Sequence, residues 1–202
     1  KGDEYIRYSD RDASKIDAGY PKKLEGYWGN LPPAFRSGFD SMAELGNGKI
    51  YVTKGDEYIR YSDRDASKID AGYPKKLEGY WGNLPPAFRS GFDSMTELGN
   101  GKIYVTKGDE YIRYSDRDAS KIDEGYPKKL EGNWGNLPPA FKSGFDSMAE
   151  LGNGKIYVTK GDEYIRYSDR DASKIDAGYP QSITGGNWGD EKFTEWICST
   201  HQ

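Results

Sequence analysis

Four tryptophan-containing pairs stand out first: Tyr27-Trp28, Tyr80-Trp81, Asn133-Trp134 and Asn187-Trp188. Each sets an indole beside amides and carboxylates, a combination that stacks on a sugar ring or another flat ligand, and four copies on one chain would act with avidity. The competing reading is a tryptophan wedged into a core, which aromatic rings favour for their large buried area. The Tyr-to-Asn exchange before Trp in two copies points to an exposed neighbour. A second set is Asp40, Asp93 and Asp146, spaced 53 residues apart and each preceded by Phe. These open strand-like runs, so a ring of such runs would gather them round its axis, with Met42, Met95 and Met148 forming a second layer there. Against this stands the plain role of an aspartate that caps a turn, and thioethers serve packing more than metal ligation.

Other chemistry is thinner. Four Lys-Gly-Asp triplets read as tight turns, and the Ser-Asp-Arg-Asp-Ala-Ser segments, with Asp63 and Asp65 two apart, read as solvated loops. They lack the glycine and the closing bidentate glutamate of a calcium-binding EF-hand loop. The single Cys198 and the single His201 exclude a zinc cage built by one chain. No Ser–His–Asp or Cys–His site can be assembled around a histidine one residue from the end. The chain is read as no enzyme.

The elements that would position these residues come from a repeat. KGDEYIRYSDRDASKIDAGYP at Lys1–Pro21 returns at Lys54–Pro74, Lys107–Pro127 and Lys160–Pro180, changing only at Ala18, Ala71, Glu124 and Ala177. The chain divides into units 1–53, 54–106, 107–159 and a divergent 160–202, taken together as a single domain. Within a unit, Phe39–Leu45 alternates with period two, Gly46-Asn47-Gly48 is a hairpin signal, and Lys49–Thr53 is β-branched and aromatic. Lys54–Asp56 turns the chain into a third strand, Glu57–Ser62, and Ser67–Asp70 follows as a short outer segment. The stretch Lys75–Asn83 has room for a helical turn or two before Leu84-Pro85-Pro86 redirects the chain. Three or four short antiparallel strands per unit, four times over, predict an all-β, four-bladed propeller.

Composition agrees. Hydrophobic residues are only 35% and mean hydropathy is -0.93, yet 17 Tyr, 7 Phe and 5 Trp argue against disorder. The 29 basic and 33 acidic residues are well mixed, giving a net charge of -4 and no basic stripe for nucleic acid. No apolar run approaches the roughly 18 residues of a membrane span. Residue 1 is a lysine inside the repeat, so any targeting segment is expected to lie outside this sequence.

Written out as Phe39-Asp40, Lys49–Tyr51, Lys54–Asp56, Tyr58, Arg60-Tyr61, Gly72–Lys75, Trp81 and Leu84-Pro85, the unit strongly resembles the hemopexin repeat over nearly the whole chain. The resemblance implies four blades of about four antiparallel strands round a narrow tunnel. It also implies that the backbone carbonyls of Asp40, Asp93 and Asp146 hold Ca²⁺ or Na⁺, so that an Asp40→Ala change would do little. It further implies a secreted protein that binds a glycan, another small ligand or a protein surface. Haem transport is the alternative that the family suggests, but haem is not expected where His201 is the only histidine. A structural or storage role is the third reading.

Two departures bear on closure. The sequence opens at the third strand of a unit, and after Pro180 it runs into QSITGGNWGDEKFTEWICSTHQ, keeping Trp188 and losing Leu-Pro. The resemblance implies that Cys198 pairs with a cysteine upstream of Lys1. The other expectation is that Lys192–Thr200 fills the inner-strand place itself.

Overall fold

The computed structural model describes residues 1–184, 186–189 and 193. Cys198, His201 and most of the 192–200 segment lie outside the described residues, so the two expectations about closure fall there. What is described is β-sheet, turns and three short 3-10 helices. The first sheet has two strands, β1 (Glu4–Tyr5) and β2 (Lys22–Lys23). A four-stranded meander follows, with β3 (Ser41–Glu44), β4 (Ile50–Lys54), β5 (Glu57–Tyr61) and β6 (Lys75–Lys76). The next unit repeats it with β7 (Ser94–Glu97), β8 (Ile103–Lys107), β9 (Glu110–Tyr114) and β10 (Lys128–Lys129). The last contains β11 (Ser147–Glu150), β12 (Ile156–Lys160), β13 (Glu163–Tyr167) and β14 (Gln181–Ser182). All pairings are antiparallel, and β1–β2 has the register of the outer pairs: Tyr5 faces Lys22 as Tyr58 faces Lys75. This is the propeller that the repeat predicts, with the innermost strands β3, β7 and β11 side by side.

Three local expectations change. The outermost strand is Lys75–Lys76, where a helical turn was expected, while Ser67–Asp70 contributes only an isolated bridge from Ile69 to Tyr61. The cause is the preceding loop, where Asp63 accepts from the Ser67 amide at 2.8 Å and Ala66 takes a left-handed φ of 50°. That curls the chain and denies it an extended ladder. The helical turn comes later, at Pro86–Ser90, because Pro86 needs no donor at a helix start and Phe88, buried behind it, anchors the turn. In the Gly46-Asn47-Gly48 turn the two glycines take φ of +82° and +80°, and Asn47 does not go positive. Its Oδ1 instead accepts from the Lys49 amide, and Glu44 Oε1 gathers the amides of Gly46 and Gly48 at 2.8 and 2.9 Å.

Candidate functional site

The core lies between blades. The Trp81 indole meets Tyr51 and Tyr58 of its own blade at 5.5 and 5.4 Å and Phe92, which leads into the next blade, at 5.4 Å, all edge-on. Trp134 repeats the arrangement with Tyr104, Tyr111 and Phe145. Edge-on rings satisfy the aromatic quadrupole and fill the wedge left by splayed sheets. Trp81 and Trp134 are 2% and 1% exposed, so the expectation that these two rings stack on a ligand is corrected: their contact surface is already spent on neighbours. Trp28 and Trp188 are half-buried in the same role.

Each seam carries the same tyrosine hydrogen bond. Tyr61, Tyr114 and Tyr167 donate their hydroxyls to the carbonyls of Trp28, Trp81 and Trp134, all at 2.7 Å, and Tyr8 does so to Trp188. Burial pushes the phenols of Tyr114 and Tyr167 well above the ordinary tyrosine range. Arg117, Arg170 and Arg11 reach across to the carbonyls of Gly46, Gly99 and Gly152 at 3.1, 3.0 and 3.3 Å. Inside a blade, Arg60 holds Asp70 at 2.5 Å. Burial works against that charge, but hydrogen bonds from Ser62 and Arg60 outweigh it and keep the carboxyl below the usual range.

At the head of the inner strands the three aspartates are turned to their own blades. Asp40, Asp93 and Asp146 each accept from the amide of Gly55, Gly108 and Gly161 at 2.7 Å, with Lys54, Lys107 and Lys160 at 3.7–3.8 Å. These carboxylates cap the Lys-Gly-Asp turns, so Asp40→Ala removes a cap and is not silent. Their amides bond to the Thr53, Thr106 and Thr159 carbonyls. Among the described residues no group of three or more His, Cys, Asp or Glu side chains is placed to hold a metal. Met95 and Met148 are buried at 1% and 4% whereas Met42 is 48% exposed, so the methionines form no uniform layer. Asp63 spends its oxygens on Ser67 and the Lys68 amide, and these hydrogen bonds, the Ser67 amide first, hold its carboxyl below the usual range and leave a closed loop.

On the outside, Tyr27 and Tyr80 are each 53% exposed. Beneath each, a lysine is sandwiched between two rings: Lys75 Nζ lies 4.8 Å from the Tyr73 centroid and 4.6 Å from that of Tyr80, and Lys22 sits likewise between Tyr20 and Tyr27. Sequence reasoning named the tyrosines and missed the lysines. Their signal was available, because a lysine follows Tyr-Pro in three units and a glutamine in the fourth.

With this geometry in view, the comparisons agree on the architecture. The family described as Hemopexin matches residues 39–86 and 92–139. Vitronectin of Oryctolagus cuniculus is 29% identical over 132 residues, which is 64% of this chain and 26% of that protein. The chain thus spans about a quarter of the length of that curated relative. Among solved structures, the hemopexin fold protein CP4 from cow pea superposes with a TM-score of 0.78 at 22% identity, covering 98% of this chain and 91% of that one. A plant lectin with two metal binding sites from Cicer arietinum gives a TM-score of 0.72 at 23% identity, covering 93% and 88%.

Proposed function

We propose that this chain, a hemopexin-like repeat protein with a four-bladed propeller, is a secreted, non-catalytic binding protein that recognises glycans through equivalent sites on successive blades. The observation that carries the reading is the pair Tyr27 and Tyr80, half-exposed at equivalent positions of two neighbouring units, each ring backed by a lysine. An exposed aromatic ring with a cation behind it offers an apolar face to sugar C–H groups and a donor to sugar oxygens. Two such rings on a rigid ring of blades raise apparent affinity for a polyvalent ligand without any new contact. The likeness in fold to the plant lectin from Cicer arietinum supports the same reading.

An axial cation belongs to this proposal. With the carboxylates of Asp40, Asp93 and Asp146 committed to their turns, main-chain oxygens would hold it, and neutral carbonyls suit Ca²⁺ or Na⁺. It would tie the inner strands together and take no part in ligand recognition. The glycan reading is tested on a glycan array with the intact chain and with Tyr27→Ala/Tyr80→Ala. Specific binding that the double change abolishes is the expected result. A silent array, or binding that ignores the double change, overturns it.

A further inference from the structure

The third blade differs from the first two at one side chain, and the difference opens a slot. Where Tyr27 and Tyr80 stand, the third unit has Asn133. Its amide does not fill the vacated place, because Nδ2 turns back to the Lys129 carbonyl at 2.9 Å. The surroundings stay as they are in the second unit. Tyr111 lies edge-on to Tyr126 at 5.3 Å, and Lys128 Nζ stands 4.7 Å from the Tyr126 centroid, as Lys75 stands over Tyr73. What is lost is the second ring on the lysine, and Lys128 is accordingly exposed where Lys22 and Lys75 are half-buried. A cleft of about 260 Å³ opens here, with Tyr111, Arg113, Lys128, Asn133 and Trp134 in its wall.

The fourth unit shows that the lysine matters as well as the gap. There Asn187 again replaces the tyrosine, but Gln181 replaces the lysine, and the Tyr164 hydroxyl donates to Gln181 Oε1 at 3.2 Å. Only the third unit combines the absent ring with a lysine that keeps one open side. The neighbouring blades state what fits such a place: a six-membered aromatic ring, lying against the ammonium and edge-on to the tyrosine below, as Tyr80 does at 4.6 Å from Lys75 and 6.2 Å from Tyr58. The charges of the wall add a further condition. Lys102, Arg113 and Lys128 outnumber Asp171. Arg113 is held by Asp123 at 2.6 Å, whereas among the described residues the Lys102 ammonium has no hydrogen-bond or ion-pair partner.

We infer that the cleft of the third blade is a binding site for a small planar aromatic acid, whose ring takes the place of the missing tyrosine and whose carboxylate meets Lys128 and Lys102. The site is single, in contrast to the repeated glycan sites, and does not rest on them. Ring and ammonium attract through the ring quadrupole, and a carboxylate on the ring brings opposite charge to the excess of cations.

The test uses the intact chain and 4-hydroxyphenylacetate in isothermal titration, with 4-methylphenol as the uncharged ring. The expected result is one site per chain for the acid and weaker binding of the neutral ring. Asn133→Tyr should close the site and abolish binding, while Lys128→Gln, which copies the fourth unit, should weaken it about two- to fivefold or more. The decisive variant is Tyr80→Asn, which should raise the stoichiometry from one to two by opening the second blade. No binding at millimolar acid, binding untouched by Asn133→Tyr, or a stoichiometry that stays at one in a folded Tyr80→Asn protein each overturns the inference. Thermal melts of all variants, expected to match the parent because these side chains are exposed, separate a lost site from a lost fold.

Discussion

The bond from Tyr114 to the Trp81 carbonyl offers a measure of what holds one blade to the next. Tyr114 is fully buried and Trp81 nearly so, and the hydroxyl donates at 2.7 Å across 33 residues of sequence. Tyr114→Phe keeps the ring, its 6.3 Å edge contact with Trp81 and almost all buried area. It removes one donor from a carbonyl that water does not reach. Leaving such a group short of a partner costs about 1–3 kcal/mol. For a chain of this size each kcal/mol moves the melting temperature by about 2–4 °C, so the expected fall is about 2–12 °C. Urea denaturation and calorimetry, compared with the exposed Tyr80→Phe control, measure it. The seams also predict an order. Tyr167→Phe should match Tyr114→Phe, since Trp134 is as buried as Trp81, and Tyr61→Phe should cost less because Trp28 is half-buried. A Tyr114→Phe loss below about 0.5 kcal/mol, within the usual scatter of surface changes, would refute the reasoning. So would a Tyr61→Phe change that costs more.

Two further outcomes follow from the charges. Tyr114 and Tyr167 have pKa values raised by burial, so the stability that they contribute is complete below the ordinary value of 10.0 and is lost as pH rises beyond it. Asp70, Asp123 and Asp176 have lowered values, so their contribution is present above the ordinary 3.8 and is lost as pH falls below it. Denaturation midpoints should therefore stay level between these limits and drop outside both; a midpoint that falls steadily from pH 7 to 9 would contradict the assignment. Asp40→Ala should lower stability by about 0.5–2 kcal/mol through loss of its turn cap, yet leave intact any rise in melting temperature on adding Ca²⁺ to chelator-treated protein, a rise that mass action requires of a cation bound by the native fold. No response of the parent to Ca²⁺ or Na⁺ would remove the axial cation from the proposal.

The blade was legible in the sequence because its signals are local. Period-two runs placed β3 and β5, β-branched and aromatic residues placed β4, and the Lys-Gly-Asp turn fell where its glycine allows a φ of +56°. Ser67–Asp70 was misjudged because its conformation is set by side-chain caps, with Asp63 bonding forward to Ser67 and Lys68, and caps leave no periodicity to read. The tryptophans posed a different problem. A Trp beside Tyr reads the same whether it faces solvent or the next blade, and only the packing of Phe92 and Tyr114 against Trp81 decides. The capping role of Asp40 was readable as an alternative, but its partner, the Gly55 amide, lies fifteen residues on and is set by the hairpin register. The lysine of the sandwich was marked by its place after Tyr-Pro, but that Tyr80 lies over it is set by the fold of the intervening turn.

The seams explain how a two-stranded first blade fits into a ring. Tyr8 reaches the Trp188 carbonyl, and Arg11 reaches Gly152, by the same bonds that Tyr114 and Arg117 make to Trp81 and Gly46. On its other side Trp28 meets Phe39 at 5.4 Å, as Trp81 meets Phe92. The third strand, the following loop and the tryptophan, all of which the first unit possesses, reach the neighbouring blades through these contacts. The inner pair adds the Gly46 carbonyl and Tyr51 to the seam and also lines the axis, where three residues of β7, flanked by β3 and β11, are buried against one each on β3 and β11. An inner strand gains its burial from neighbours on both sides, and β7 is the one described strand that has both. The division of labour places the repeat's sequence identity in physical terms. Residues that make the seams are repeated because every seam must close alike, whereas the outer positions Tyr27, Tyr80, Asn133 and Asn187 bear on no seam and are free to diverge into different binding surfaces.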